Sequence, residues 1–516
     1  MTIKIAAPLT TEATPCLQWI EVASFFQIPQ FTIIGLPAPE VMEARERVRA
    51  AITSSGFEFP KRRVILNLSP SSIKKRGTGI DLAMALSVLA NQAKTKSPHA
   101  IAAWGELGLD GKLKASGQIT RAVIATLKAE IPFLIVQKSD AMTAIATLAS
   151  LSSNNSLQIV GVETLAEAWR EAIKIFEGKP PTRSPSIQRF DKPTDTAGSN
   201  RFHNLLPLPP ALTRLVSASI SGGHHLLLLG PKGVGKSQAI EWMSALLPAP
   251  SAQTQIEHLL LRELSFEPQL YNPIRRVSSQ VRPAALIGST TSTTLRPGEC
   301  SLAHGGILIA DELPEWPRDS REALREPLER RRVTLSRVTG SAELPAEFIL
   351  AATGNLCPCG GVPKNFPRAI NAGPNSESSC ECTLSRRKAY FARISGPLLD
   401  RIDIAALVGL QTAPTPKKEH PFEEIQAQVL RSREALQRDF GELPGVLSPR
   451  ETEDLLHGHP DWLRDLELLQ FKSLRARHKC FRLALTLAAL DSSESGPTRA
   501  HFIEASIYRP ERLGFC

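Results

Sequence analysis

The chain has 516 residues and a formal net charge of +10, with 42% hydrophobic and 22% charged residues. That length allows roughly two to four domains with real cores, and no run of about 18 apolar residues is present to span a bilayer. The start, Met1-Thr-Ile-Lys-Ile5, lacks the basic-then-apolar pattern of a secretory signal. Cytoplasmic residence and no membrane partner are therefore expected, and the positive charge permits a nucleic acid without requiring one.

In chain order, residues 1–178 alternate apolar runs with amphipathic stretches. Residues 31–34 and 64–68 read as strands. Residues 40–54 put Val41, Ala44, Val48, Ala51 and Ile52 on one helical face, and 80–90 and 164–176 are further helices, the last ended by Gly178. Residues 179–200, rich in Pro, Ser, Thr and charge without an apolar period, read as a linker. In residues 201–412 short apolar runs at 226–229, 307–310 and 348–352 alternate with helical segments. This predicts a mostly parallel sheet with helices on its faces and a ligand site at the carboxyl ends of its strands. A Pro/Lys-rich break at 414–421 opens a last unit, 413–516, which reads as helices at 422–440, 448–456, 466–490 and 498–508.

Gly230-Pro231-Lys232-Gly233-Val234-Gly235-Lys236-Ser237 matches the phosphate-loop pattern G-x-x-x-x-G-K-[ST], after the 226–229 run and before a helical segment at 238–247. Backbone N–H groups of such a loop surround phosphate oxygens, and the helix N-terminus adds a favourable dipole. Lys236 is expected to neutralise the β- and γ-phosphates of ATP, and Ser237 to hold Mg²⁺. The 307–310 run ends in Asp311-Glu312, about 75 residues after the loop. Asp311 suits the metal and Glu312 suits activation of the attacking water. The 348–352 run leads to Asn355, which either positions that water or is a turn asparagine. Cys357, Cys359, Cys380 and Cys382 form two C-x-C pairs. They read as a structural Zn²⁺ set in a reducing compartment or as free loop thiols, and Cys16, Cys300, Cys480 and Cys516 as isolated thiols.

The stretches 31–37, 45–51, 56–63, 296–304, 311–315, 357–360 and 394–403 resemble, in order and across most of the chain, the ComM/YifB family of magnesium-chelatase-like AAA+ ATPases. The resemblance implies an α/β AAA+ P-loop ATPase core with a zinc-binding insertion. It also implies a Lon-protease-like α+β N-terminal domain and a helical C-terminal lid. Arg401 matches the arginine finger that reaches a neighbouring subunit's γ-phosphate, and Arg475 the sensor-2 arginine of the lid. The family implies a homo-hexamer with pore hairpins near 289–299 and 333–344, where Arg296 and Arg337 meet DNA phosphates. Its implied task is helicase or branch-migration work on single-stranded or branched DNA during natural transformation. A protein-remodelling ATPase of magnesium-chelatase type and a slow-hydrolysing nucleotide-gated clamp are the alternatives.

Around residues 77–81 no serine stands in the glycine setting of a Lon-type nucleophile, so the first block is expected to be non-catalytic. Ser71 and Ser72 lie near Lys74 and Lys75, but sequence neighbours do not make a dyad. Three departures stand out. Residues 273–280 lack both histidines of the family's Pro-Phe-Arg-Ala-Pro-His-His-Ser. Arg201-Phe-His-Asn204 stands near the place of Asp-x-x-Gly-Gln, and Leu485 replaces an arginine.

Overall fold

The computed structural model describes residues 4–9, 15–71, 75, 77–94, 97, 99–151, 157–181, 205–265, 273–290, 295–337, 340–361, 380–409, 421–471, 473–493 and 495–509. Most of the linker, Arg201 to Asn204, Ser72, Lys74, the stretch between the cysteine pairs, the second Pro/Lys-rich break and Cys516 lie outside them.

The N-terminal sheet has seven strands in the order Gln30–Ile34, Arg63–Ser69, Cys16–Phe25, Ile5–Leu9, Ile101–Trp104, Phe133–Gln137 and Gln158–Val162. Only Cys16–Phe25 runs against its neighbours. Helix Pro39–Ser54 buries the five residues its period selects. Helix Asp81–Ala93 is buried almost throughout, and the ion pair of Asp81 with Arg47 (2.8 Å) matches a charge that burial alone would make costly. Thr164 caps helix Leu165–Phe176 by accepting from the Glu167 N–H.

The second sheet has five parallel strands in the order Ile274–Val277, Ile307–Ala310, Ile349–Gly354, Leu226–Leu229 and Ile404–Leu407. Its side chains alternate between two cores, as a period of two requires. Leu226, Leu228, Ile307, Ile309 and Ile404 share one core with Phe481, Leu485 and Leu487 of helix Leu474–Leu490. Leu227, Leu229, Leu308 and Leu350 share the other with Leu295, Val333 and Leu335. Each fully buried Leu or Ile here contributes roughly 1.5–3 kcal/mol.

The expected single helix at 466–490 is instead two helices, Pro460–Glu467 and Leu474–Leu490. Gln470 turns left-handed (φ 46°), and Ser473 starts the second helix by accepting from the Ala476 N–H. The two sheets' units are also joined by a carboxylate. Glu263, on helix Ala252–Ser265, accepts from the N–H groups of Thr120 (2.7 Å) and Arg121 (3.2 Å) at the start of helix Ile119–Lys128. Gln118, at that helix's own cap position, provides no side-chain bond.

Candidate nucleotide site

Strand Leu226–Leu229 delivers residues 230–237 to the carboxyl edge of the parallel sheet, and helix Lys236–Leu246 leaves from it. The Gly230 N–H donates to the Gly354 carbonyl (3.1 Å). A Cβ on Gly230 would lie 2.4 Å from the Val408 carbonyl oxygen, so the loop enters where only glycine fits. Gly235 holds φ 89°, a conformation that turns the chain into the helix without strain for glycine alone. Lys236 Nζ donates to the carbonyls of Gly230 (2.8 Å) and Pro231 (2.6 Å). Burial pushes its pKa down to about 8, with Glu312 opposing and Lys232 adding to the shift. Ser237 is exposed at the helix start, as are Lys232 and Gly233, while Val234 is half-buried and Pro231 buried.

The next strand but one, Ile307–Ala310, ends in Asp311 and Glu312 beside the end of Ile349–Gly354. Thr353 ties the two strand ends together. Its Oγ1 accepts from the Glu312 N–H (3.0 Å) and donates to Asp311 Oδ1 (3.4 Å). Glu312 adopts φ 50°, an uncommon backbone state for a residue with a side chain. Asn355, buried, donates to Glu312 Oε1 (3.4 Å). Lys236, Asp311, Glu312 and Asn355 thus come to one edge. Arg276, within the departing stretch 273–280 and without a role assigned from sequence, joins them by an ion pair to Asp311 Oδ2 (2.5 Å). The signal was there, since Arg276 stands where the resembled family's motif has alanine.

Cys357, Cys359, Cys380 and Cys382 bring their four sulfurs within 4.8 Å of one another. Cys357 Sγ lies 2.8 Å from Cys359 Sγ and 3.4 Å from Cys380 Sγ, so a small spread brings the four donors to the separations of about 3.8 Å that a tetrahedral Zn–S set at about 2.3 Å needs. The cluster touches the phosphate loop: the Lys232 N–H donates to the Gly360 carbonyl (3.4 Å).

Arg401 and Arg475 converge on one carboxylate. Arg401 pairs with Glu329 and donates to the carbonyls of Arg325 (3.0 Å) and Pro397 (2.6 Å), and Arg475 pairs with Glu329 Oε1 at 2.8 Å. Burial opposes the charge on Glu329, but the two arginines outweigh it and hold its carboxyl below the usual range. Among the described residues neither arginine bonds to residues 230–237 or to Asp311 and Glu312 of its own chain. Behind them lies a buried pair. Asp403 Oδ1 is 3.7 Å from Lys479 Nζ, and Oδ2 accepts from the His225 N–H (3.0 Å). Lys479 also donates to the Ile402 carbonyl (2.8 Å), fixing the segment that carries Arg401 to the helix that carries Arg475.

Residues 210–415 match the family described as magnesium chelatase, subunit ChlI, and residues 20–140 match subunit ChlI of Mg-chelatase. YifB of Salmonella typhimurium is 30% identical over 507 residues, covering 95% of this chain and 93% of the relative. The chain belongs to the ComM/YifB family of magnesium-chelatase-like AAA+ ATPases. The competence protein ComM of Haemophilus influenzae is 28% identical over 98% of this chain and 95% of its own. The minichromosome maintenance protein MCM of Saccharolobus solfataricus is 26% identical over 32% of this chain and 20% of its own.

The hairpin segments of this ComM/YifB chain lie side by side. Gly288–Thr290 pairs with Leu295–Pro297, placing Arg296 opposite Ser289 in solvent. Arg332–Arg337 pairs with Gly340–Pro345, placing Arg337 at the distal end of its strand. The described residues include no helix long and apolar enough to cross a membrane.

Proposed function

We propose that the protein is an ATP-hydrolysing homo-hexameric motor that does helicase or branch-migration work on single-stranded or branched DNA during natural transformation, in the cytoplasm. The observation that carries the ATPase reading is the meeting of Lys236, Asp311, Glu312 and Asn355 at the carboxyl ends of adjacent parallel strands. The ComM and MCM relatives support the DNA task.

Residues 230–237 bind the nucleotide phosphates through backbone N–H groups, and Lys236 adds charge. Ser237 and Asp311 would hold Mg²⁺, which supplies charge neutralisation between the phosphates. Glu312 accepts a proton from the water that attacks the γ-phosphorus as the bond to the leaving ADP oxygen breaks, and Asn355, bonded to the same carboxylate, positions that water. Arg401 reaches the nucleotide of a neighbouring subunit, where a guanidinium matches charge developing on the transferring phosphoryl, and Arg475 serves as the sensor-2 arginine of the lid. That Arg401 pairs with Glu329 and, among the described residues, bonds to none of residues 230–237 of its own chain supports that reading. Arg296 and Arg337 meet DNA phosphates inside the ring. The four cysteines would hold structural Zn²⁺. Residues 1–178 form a Lon-protease-like domain without catalysis, 179–200 a linker, 201–412 the ATPase core and 413–516 a helical lid.

The test is ATP hydrolysis by the purified protein with no DNA, single-stranded DNA and forked DNA, at fixed low salt. Strong stimulation, lost in Lys236→Ala and Glu312→Gln, is the expected result. Hydrolysis indifferent to every DNA overturns the DNA task in favour of protein remodelling, which the magnesium chelatase match favours. No hydrolysis at all leaves a nucleotide-gated clamp.

A further inference from the structure

At one end of the N-terminal sheet, the segment between Cys16–Phe25 and Gln30–Ile34 puts apolar side chains into solvent. Phe26 is 91% exposed, Ile28 87% and Phe25 47%. Strand Arg63–Ser69 lies between those two strands, with Arg63 in register with both Phe25 and Gln30. The preceding residues bring cations to the same place. The Arg62 guanidinium sits 4.4 Å over the Phe26 ring, and Arg63 donates to Gln27 Oε1 (3.1 Å). Lys61 is exposed beside them. Arg49, from helix Pro39–Ser54, lies 5.5 Å over Phe59, whose ring leans on buried Phe31 at 5.3 Å. Two cation–ring pairs, Arg62 over Phe26 and Arg49 over Phe59, thus share this stretch with Lys61 and Arg63, and Glu58 is the acid on it.

Buried protein–protein contacts accept arginine and phenylalanine but are depleted in lysine, and Lys61 with three guanidinium groups would have to be desolvated there. Alternating rings and guanidinium groups instead match unpaired bases joined by phosphates. The geometry points to a binding site for single-stranded nucleic acid on this edge. Phe26 stacks a base on its open face with Arg62 behind the ring, and Lys61 and Arg49 meet flanking phosphates. The site deepens the DNA reading above and is separate from the hairpins that carry Arg296 and Arg337.

The experiment is fluorescence anisotropy of a fluorescein-labelled oligo(dT) of about 20 nucleotides, with the full-length chain and no ATP, at low and moderate salt. Phe26→Ala is expected to weaken binding about 5- to 100-fold, and Phe26→Trp to retain it. Lys61→Ala, at a residue placed on a phosphate, is expected to lower the salt slope by about 0.7. An exposed position should leave the melting temperature of Phe26→Ala close to wild type, which checks the fold. Tight binding by wild type and Phe26→Ala alike overturns the site and leaves the motor reading standing. A wild-type chain that does not bind also overturns it, and DNA-stimulated hydrolysis then decides the motor reading separately. Loss of assembly size in Phe26→Ala, measured by sedimentation, overturns it in favour of a contact between copies of this chain.

Discussion

Replacing Asp403 with Asn removes the charge that faces buried Lys479 while keeping an oxygen for the His225 N–H. The Asp403 and Lys479 side chains are only 7% and 12% exposed, so water cannot replace the lost partner. Breaking a buried ion pair from one side costs about 3–5 kcal/mol. For a unit of roughly 200 residues, each kcal/mol lowers the melting temperature by about 2–4 °C, so a loss of about 6–20 °C is expected. Neutralising both partners, Asp403→Asn with Lys479→Met, should recover at least about half of that loss, because the stranded ammonium disappears. Burial opposes the Asp403 charge, yet Lys479 and His225 hold its folded pKa below the ordinary carboxylate value. Its stabilisation is therefore present above that ordinary value and lost as pH falls through the folded one. Thermal melting of the two single variants and the double variant, repeated in mild acid, is the assay. A single variant melting within about 2 °C of wild type, or a double variant as unstable as the sum of the singles, would refute the reasoning.

Three further outcomes follow from the site. Arg276 competes for the carboxylate assigned to Mg²⁺, through a half-exposed pair worth about 0.2–1 kcal/mol, so Arg276→Ala should lower the Mg²⁺ needed for half-maximal binding of a fluorescent ATP analogue by about 1.5- to 5-fold; an unchanged midpoint argues against the competition. Lys236 has a folded pKa of about 8 and phosphate favours its charged form, so ATP affinity should be full below that pH and fall as pH rises through it; calorimetry at about pH 8.5 in two buffers of different ionisation heat should show proton uptake. Cys380→Ser should release Zn²⁺ on mild chelation, read by metal analysis, and loosen nucleotide binding by a few-fold through the Gly360–Lys232 contact; retention of one tightly held Zn²⁺ argues against a four-sulfur site.

Where the sequence was readable, one physical signal dominated its surroundings. Continuous apolar runs located strands Leu226–Leu229 and Ile307–Ala310 to the residue, because strands buried on both faces leave no polar position to blur their ends. The glycine spacing marked the phosphate loop for a similar reason: its backbone admits little else. The helix break before Leu474 was hidden because Leu469 and Phe471 sustain an apolar period through the turn, masking Ser473 as a cap. Strands Ile5–Leu9 and Cys16–Phe25 were missed among short mixed runs whose pairing is non-local. Arg276 was noticed only as part of a motif that had lost its histidines. Its meaning depends on the register Val277 with Ala310, which brings Asp311 alongside. Glu329 had no local signature at all, since only tertiary structure gathers Arg401 and Arg475 around it.

Glu263 makes the two halves of the chain share the ending of one helix. It follows the phosphate loop in sequence, yet it completes the first turn of Ile119–Lys128 in the other domain, where Gln118 leaves the position uncapped. The Thr120 and Arg121 N–H groups at the start of that helix find their carboxylate acceptor on helix Ala252–Ser265, more than 140 positions along the chain. One carboxylate distant in sequence thus does the work that a cap residue next to the helix would ordinarily do.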